Sequence, residues 1–184
     1  MRQRTLLVAA LCTFAIAALV GATTASAASP HFKKGGSPTC TITSGTTSAS
    51  VVCRGALSGL GNGDVDLQTT VSGFAVYQCQ NGGGNTAPGQ NRVLTGPATA
   101  PTHIPGNEVK NGNLAFTTNR AVLTAPDTVS GAAAGCPNSN WTGVNPQLTV
   151  TNISLTISQG GVLLFTCTAS NPNGFSSGTV ALTC

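Results

Sequence analysis

The sequence predicts an all-β fold, a disulfide-stapled β-sandwich that is Ig-like in the loose sense, with about seven to nine strands. From residue 39 onward Thr, Val, Ser and Ala dominate the chain, and strong helix formers are sparse. Clusters of Gly, Pro and Asn interrupt it at short intervals, as turns do in sandwiches and barrels. No segment shows convincing helical periodicity.

The N-terminal segment predicts export. Residues 1–4 carry two arginines, residues 6–20 are almost wholly apolar, and residues 25–27 are the small residues that a signal peptidase reads. Residues 1–27 therefore form a predicted secretory signal peptide, and Cys12 leaves with it. We expect an extracellular protein, secreted or cell-wall associated, with no membrane segment after cleavage.

The rest of the chain predicts one domain. Residues 28–38 hold two prolines and two glycines and lack periodicity, so we expect a flexible N-terminal tail there. Residues 39–184 are enough for a single β-sandwich domain and too few for two.

The charge pattern excludes one class of partner. The formal net charge of the whole chain is +4, and two arginines belong to the predicted signal peptide. Only Lys33 and Lys34 are adjacent in the remaining chain, so it has no clustered basic stretch of the kind that binds phosphate groups. We expect no nucleic-acid partner.

Six cysteines remain after signal cleavage, and none has the Cys-x-x-Cys spacing of redox or zinc motifs. An even number in an exported chain predicts disulfides, although six cysteines allow 15 connectivities. A hairpin that places Ser44 opposite Ala49 also places Cys40 opposite Cys53. We further expect Cys79–Cys136, which would join two long loops, and Cys167–Cys184, which would pin the C-terminus.

Three local patterns make testable structural predictions. Val65, Leu67, Thr69 and Val71 alternate inward, and Gly73 predicts a bulge or bend after which Phe74 and Val76 take over the inward parity. Residues 96–106 carry three prolines and should be irregular. A three-residue turn at 159–161 would place Leu163, Phe165 and Cys167 on the face of Ile153, Leu155 and Ile157.

Candidate catalytic and metal-binding residues are few, and we expect no enzyme and no cofactor. His31 falls in the predicted tail, so a Ser-His-Asp arrangement would depend on His103 with Asp127 or Glu108. Asn62, Asp64 and Asp66 form a weak candidate calcium site, because carboxylate and amide oxygens on one side of a strand suit that ion. The same Gly-Asn-Gly-Asp stretch is typical of a turn, which is the interpretation we prefer.

The candidate binding face is built on the only tryptophan, Trp141. A Cys79–Cys136 disulfide would bring it close to a set of amides, and an aromatic ring among amides is typical of a carbohydrate-binding patch. The alternative, which we favour, is that the tryptophan fills the core and the amides stabilise turns. The amides of this face are Asn81, Asn85, Gln90, Asn91, Asn138 and Asn140.

Four segments carry a resemblance to a known group of proteins: GLGNGDV at 59–65, CQNGGGNTAPGQN at 79–91, NGNLAF at 111–116 and CPNSNWT at 136–142. Over residues 39–165 the chain resembles a group of small secreted actinomycete proteins of unassigned function. The resemblance implies export and a β-rich domain, and it implies no catalytic residue. The tail at 170–184, with Cys167 before it, departs from the group.

The sequence favours a non-catalytic secreted or cell-wall-associated module with a structural or interaction role, whose partner would be cell-wall polysaccharide, another surface protein or a small molecule. The first alternative is a small-molecule carrier with a β-sandwich fold, which is an analogy of composition and fold alone. The second is a secreted hydrolase.

Overall fold

The computed structural model describes residues 29–34 and 36–184. The predicted signal peptide at 1–27, including Cys12, lies outside the described residues. The described chain is nearly all strand, as predicted, and no helix in it is long and apolar enough to cross a membrane. Its strands are β1 (His31–Phe32), β2 (Thr39–Ser44), β3 (Ser48–Ser58), β4 (Val65–Gln80), β5 (Thr86–Pro88), β6 (Val93–Ile104), β7 (Leu114–Thr117), β8 (Ala121–Thr124), β9 (Val129–Ser130), β10 (Thr142–Gln159), β11 (Val162–Phe175) and β12 (Gly178–Ala181).

These strands form two antiparallel sheets. The first sheet has the order β12–β2–β3, with β7 and β8 in line along the other side of β3 and β1 also paired with β3. The second has the order β11–β10–β4, with β5 and β6 along the other side of β4 and β9 beside β10. Short strands that lie in line are counted separately, so the described chain has more strands than the sequence predicts.

The core consists of the side chains that alternate strands point between the sheets. Its largest fully buried members come from both sheets, and from β4 and β10 in particular. Among them are Leu57, Leu67, Tyr77, Leu123, Leu155 and Ile157. Burial of such side chains is the main favourable term in folding, at about 1.5–3 kcal/mol for each fully buried aliphatic or aromatic side chain.

The predicted hairpin register is confirmed. Ser44 pairs with Ala49, Ile42 with Val51, and Cys40 with Cys53. The alternation of buried residues fixes this register, because a one-residue slip would turn the inward side chains of β2 to solvent. The two sulfurs form a disulfide inside the core, where both cysteines are fully buried.

The other two predicted disulfides are also present. Cys79 at the end of β4 is bonded to Cys136, and Cys167 of β11 is bonded to the C-terminal Cys184. The last residues pass from β12, on the first sheet, back to the second sheet, where Thr183 exchanges two backbone hydrogen bonds with Thr168. The disulfide therefore links the two sheets at one edge of the sandwich.

The irregularity predicted at Gly73 is confirmed in place, but the predicted change of parity is wrong. Ala75, Tyr77 and Cys79 continue the inward set of β4, and Phe74 lies on the outer face beneath Arg92. The extra residues belong to the neighbouring strands: β10 and β6 shift register opposite Gly73, and β4 runs on with its alternation intact. A bulge in a partner strand cannot be read from the strand that carries the glycine.

The prediction that residues 96–106 are irregular is wrong over most of its length. β6 runs through Pro97 and Pro101 to Ile104 and pairs with β4. It has no partner strand on its other side in the described sheets, and proline is tolerated on such an edge because the missing N–H costs no ladder hydrogen bond there.

The turn between β10 and β11 has two residues rather than three. Gln159 pairs with Val162 around Gly160 and Gly161, which both have positive φ. A register shift follows, after which Ile157 faces Phe165 and Leu155 faces Cys167. The extra residue is Leu164, which forms a bulge in β11. The bulge keeps Phe165 and Cys167 on the predicted face, but the prediction for Leu163 is wrong, because it pairs with Ser158 and is 61% exposed.

Two segments expected to lack regular structure contain short elements. In the predicted tail, β1 pairs with the end of β3, and the Phe32 ring lies 4.6 Å from that of Phe165. In the second long loop, β9 is followed by a single helical turn, α1 (Gly131–Ala134). A 3-10 turn covers Gly106–Glu108. Each is too short to produce a periodic sequence pattern.

Gly73→Ala should lower the free energy of unfolding by about 1–3 kcal/mol, the range typical of overpacking. A Cβ at this position would lie 2.0 Å from the Thr149 carbonyl oxygen, which is backbone and has a strand partner to keep. The measurement is a urea unfolding titration of the oxidised protein.

Gly82→Ala is the matched control for this substitution, because a Cβ there meets nothing within 4 Å. We expect no loss of stability from it. Equal stability of the two variants would contradict the close approach of β4 and β10 at Gly73.

Candidate functional site

The two long loops meet at one end of the sandwich, as the sequence predicts. The Cys79–Cys136 disulfide joins them across 57 residues of sequence. The backbone N–H groups of Gln90 and Asn91 donate to the Ala134 carbonyl at 3.0 and 3.1 Å. The second loop is therefore the support on which the end of the first loop rests.

Local sequence explains the helical turn in this support. The Ser130 hydroxyl accepts a hydrogen bond from the Ala133 N–H, as an N-terminal cap does, and Gly135 ends the turn with a φ of 69°. Gly135 is required for close approach as well, because a Cβ there would lie 2.7 Å from the Asn91 side chain.

Two of the six predicted binding-face amides hold turns, and a third links the two loops. The Asn81 side-chain oxygen accepts from the N–H groups of Gly83 and Asn85, and that of Asn138 accepts from Asn140. The Asn91 amide donates to the Ala132 carbonyl at 3.4 Å. These contacts agree with the turn-stabilising interpretation favoured from the sequence.

Trp141 lies at the start of β10, partly buried and packed against the core. Its backbone N–H donates to the Asn138 carbonyl at 3.3 Å. The structure thus places Trp141 in the support of the two loops, and none of the seven residues of the predicted face lines the recess described next.

The recess lies between β5 and an irregular segment of β10. Between the pairs Val144–Gln78 and Gln147–Val76, β10 has two residues, Asn145 and Pro146, opposite the single residue Tyr77 of β4, so β10 carries one extra residue. Asn145 has a φ of 51°, a left-handed conformation that asparagine adopts more readily than most residues. This bulge lies opposite Tyr77, and Asn145 and Tyr77 both line the recess.

We call this recess the amide groove, and its volume is about 280 Å³. One wall is residues 86–89 of the first loop, and the facing wall is Asn145 and Gln147, with Gln78 between them. The Asn145 side-chain N–H donates to the Gln78 side-chain oxygen at 3.0 Å, which orients both amides. The groove therefore contains three amide side chains, two of them oriented by this hydrogen bond, and an apolar lip at Ala87 and Pro88.

A second recess of about 430 Å³ adjoins the groove, since both are lined by Asn145 and Gln147. Its other residues are Thr46 and Thr47 in the β2–β3 turn, Pro146, and Asp127. The Leu148 N–H donates to the Thr46 carbonyl at 2.9 Å, so the turn of the first sheet is fixed against β10 of the second.

The floor of the groove is rigid. Tyr77 is 1% exposed and its hydroxyl donates to the Pro126 carbonyl at 2.9 Å. Burial raises the pKa of Tyr77 above its ordinary value, and the charge of Asp127 raises it further. Tyr77 therefore stays neutral and hydrogen-bonded, and it shapes the site rather than exchanging protons.

The chemistry of this lining is recognition. Amide, hydroxyl and backbone groups both donate and accept hydrogen bonds, and a single carboxylate, Asp127, is the only ionisable group besides Tyr77 among the lining residues of the two recesses. No histidine adjoins a hydroxyl there, so the lining does not contain the nucleophile-and-base pair that acyl transfer uses.

One sequence signal points to the groove. Asn145-Pro146 interrupts an otherwise alternating segment between Val144 and Leu148, and such a dipeptide breaks regular structure. Read as a bulge beside a glycine- and proline-rich loop, it would have indicated an opening in the sheet.

The candidate calcium residues make other contacts. Asp64 accepts from the Gly106 N–H at 2.7 Å, Asp66 bonds to the His103 ring at 2.7 Å, and Asn62 is exposed in the turn. Within residues 29–34 and 36–184, no three His, Cys, Asp or Glu side chains form a group able to hold a metal ion. These contacts give the calcium hypothesis no support.

His103 faces carboxylates, but not those considered from the sequence. It lies on β6 opposite Asp66 of β4, and its other ring nitrogen is 3.9 Å from Asp64. All three side chains are more than half exposed. Asp127 instead lines the second recess, and Glu108 is in the 3-10 turn.

No protein-family model matches the chain, and no curated protein matches it. Among solved structures it is similar to Bacteroides uniformis beta-glucuronidase, with 13% identity, a TM-score of 0.32 and coverage of 77% of this chain and 14% of that chain. A calcium binding mutant of Bacteroides uniformis beta-glucuronidase 2 gives 12% identity, a TM-score of 0.31 and the same coverage. The chain spans about 14% of these proteins, and similarity at this level carries no argument.

We predict that Asp66→Asn lowers the pKa of His103. The hydrogen bond to Asp66 raises that pKa above its ordinary value of 6.5, and the charges of Asp66 and Asp64 add to the effect. Because the folded-state pKa is raised, the stabilisation from this pair is complete below pH 6.5 and is lost as the pH rises through the folded value. NMR titration of the His103 ring protons measures the shift.

His31 lies in β1 of the first sheet and bonds to the Ser29 carbonyl rather than to Asp66, so its ring signals serve as an internal reference in the same spectra. An identical His103 titration with and without the Asp66 carboxylate would show that the contact does not persist in solution.

Proposed function

We propose that this protein is a non-catalytic, exported interaction module, secreted or cell-wall associated, that holds an uncharged polar ligand in the amide groove. The observation that carries the proposal is the group of three amides at Gln78, Asn145 and Gln147, two of which are hydrogen-bonded to each other, in an open recess with an apolar lip. Pockets with a few well-placed polar groups and apolar walls are the usual form of ligand sites.

Export is supported by the three disulfides. Such bonds form and persist in oxidising compartments, and two of them close the chain at positions that sheet pairing alone leaves loose. The arginine-flanked apolar segment at the N-terminus of the sequence adds to this support.

The ligand class we propose is a neutral oligosaccharide segment of cell-wall polysaccharide. Each amide can donate to one sugar hydroxyl and accept from the next, while Ala87 and Pro88 offer an apolar surface to the carbon-bound hydrogens of a sugar ring. A phosphate- or sulfate-bearing ligand fits less well, because neither lysine nor arginine lines the recesses.

Asn145→Gly should weaken binding of neutral cell-wall oligosaccharides by about tenfold, the effect of losing roughly one or two hydrogen bonds. Glycine suits the positive φ of this position, so the substitution removes the amide and leaves the bulge in place. Affinity is measured by calorimetry with a soluble oligosaccharide fraction from partial hydrolysis of wall polysaccharide.

The control is Gln90→Ala, which removes an exposed amide of the same loop outside the groove. Loss of binding with Gln90→Ala and not with Asn145→Gly would move the site to the loop face predicted from the sequence. Absence of binding by the unaltered protein, or its turnover of the oligosaccharide, would overturn the proposal. A bound small molecule in the intact mass of the purified protein would favour a carrier instead.

A further inference from the structure

The outer face of the second sheet carries a regular array of uncharged polar side chains. Because β6, β4, β10 and β11 are paired side by side, residues of the same parity line up across all four strands. One such row consists of Thr99, Thr70, Ser154 and Thr168. The next row consists of Pro101, Gln68, Thr156 and Thr166.

Sheet geometry fixes the spacing of this array. Neighbouring strands are about 4.8 Å apart, and side chains on one face of a strand repeat about every 6.7 Å. The first row thus carries a hydroxyl on each of the four strands, and the second carries hydroxyls on β10 and β11 only. A third row, Ser72–Asn152–Ser170, continues the array as far as Phe74, the next outward residue of β4.

The hydroxyls of the first two rows are free to bind a partner. In the described part of the chain, the side chains of Thr70, Ser154, Thr156 and Thr166 take part in no hydrogen bond with another protein group. In the third row the Ser170 hydroxyl already donates to Asn152, at 2.8 Å. The first two rows are therefore where a partner can bind without displacing an internal contact.

The array is concave at one place. A trough of about 320 Å³ lies between β6 and β10, over Gln68 of β4. Pro101 and Thr156 form its sides, and the Asp66–His103 pair forms its end. A chain-like ligand lying in the trough would run along β4 and cross the second row, where it would meet the Gln68 amide and the Thr156 hydroxyl.

Charge on this face is confined to its ends. Asp66 and His103 are paired with each other, and Arg92 is held over the Phe74 ring at 4.3 Å with its guanidinium donating to the Pro172 carbonyl. The outer face of the first sheet is different, since Arg54, Arg120 and Val52 line its depression. A neutral partner rich in hydroxyls complements the second sheet and not the first.

From these observations we propose that the outer face of the second sheet binds the surface of an extended, uncharged polysaccharide. The ligand we propose is a polymer with hydroxyls that repeat along its length. Only a ligand with repeating hydroxyls can form more than one or two hydrogen bonds to a repeating array of side chains at the same time. This surface is separate from the amide groove, and the inference does not depend on the function proposed for the groove.

The experiment is a sedimentation assay with microcrystalline cellulose and with chitin, two insoluble neutral polysaccharides. The test protein is the triple variant Thr70→Val, Thr156→Val and Thr166→Val, which removes three hydroxyls and keeps side-chain shape and strand propensity. We expect the unaltered protein to bind at least one of the two polymers and the triple variant to lose about tenfold or more in affinity.

The matched control is the triple variant Thr39→Val, Thr41→Val and Thr43→Val, on the exposed face of β2 in the first sheet. It carries the same chemical change and should bind like the unaltered protein. Circular dichroism checks that both variants are folded. Binding should also be unchanged by added sodium chloride, since no charges meet.

Several outcomes would overturn this inference. They are absence of binding to both polymers, unchanged binding by the second-sheet variant, equal losses in the two triple variants, and loss of binding on adding salt. Asn145→Gly in the same assay separates the two sites: if it alone weakens sedimentation, the groove binds the polymer and the sheet face does not.

Discussion

The structure depends on the pairing of β4 with β10 along nearly their whole length. β4 has 16 residues whose inward set runs without a break from Val65 to Cys79, and every one of those positions is buried. A slip of one residue would expose the whole set, so this pairing has one acceptable register. Gly73 makes it possible, because the Thr149 carbonyl passes where any Cβ would lie. The other strands take their positions from these two.

The disulfides secure the places where strand pairing ends. The Cys79–Cys136 bond begins at the last inward residue of β4 and joins it to the loop that contains α1. Gly89 of the first loop then donates to the Tyr77 carbonyl at 2.9 Å, in a space where a Cβ would lie within 2.7 Å of two backbone oxygens. One wall of the amide groove is therefore held by a disulfide, a helical turn and a glycine together. Because this wall is already ordered, the protein loses little conformational entropy when a ligand binds there.

Strand register could be predicted from the sequence where the pattern of buried residues lies within one strand or one hairpin. The alternation in β2, β3 and the first half of β4 gave the hairpin register and the Cys40–Cys53 bond, since both partners are close in sequence. Prediction failed where the answer lies in a neighbouring strand. Pro97 and Pro101 suggest the end of a strand, because their position on a sheet edge depends on which strands pair with β6. The bulge at Leu164 likewise depends on the pairing register of β10 and β11. The groove was missed for the same reason: Asn145 and Gln78 are adjacent only after β10 has paired with β4.

The two proposed binding surfaces arise from opposite properties of the same sheet. Where β4 and β10 alternate strictly, each inward apolar residue is followed by a residue whose side chain points outward. Many of these outward residues are Thr, Ser or Gln, and together they form the polar array. Where β10 departs from alternation, at Asn145 and Pro146, the sheet opens and three amides converge. An array suits many weak bonds to a repeating partner, while a recess suits a few oriented bonds to one segment. Val76 and Gln78, which line the groove, are the next outward residues of β4 after Phe74, so the two surfaces are joined along a single strand.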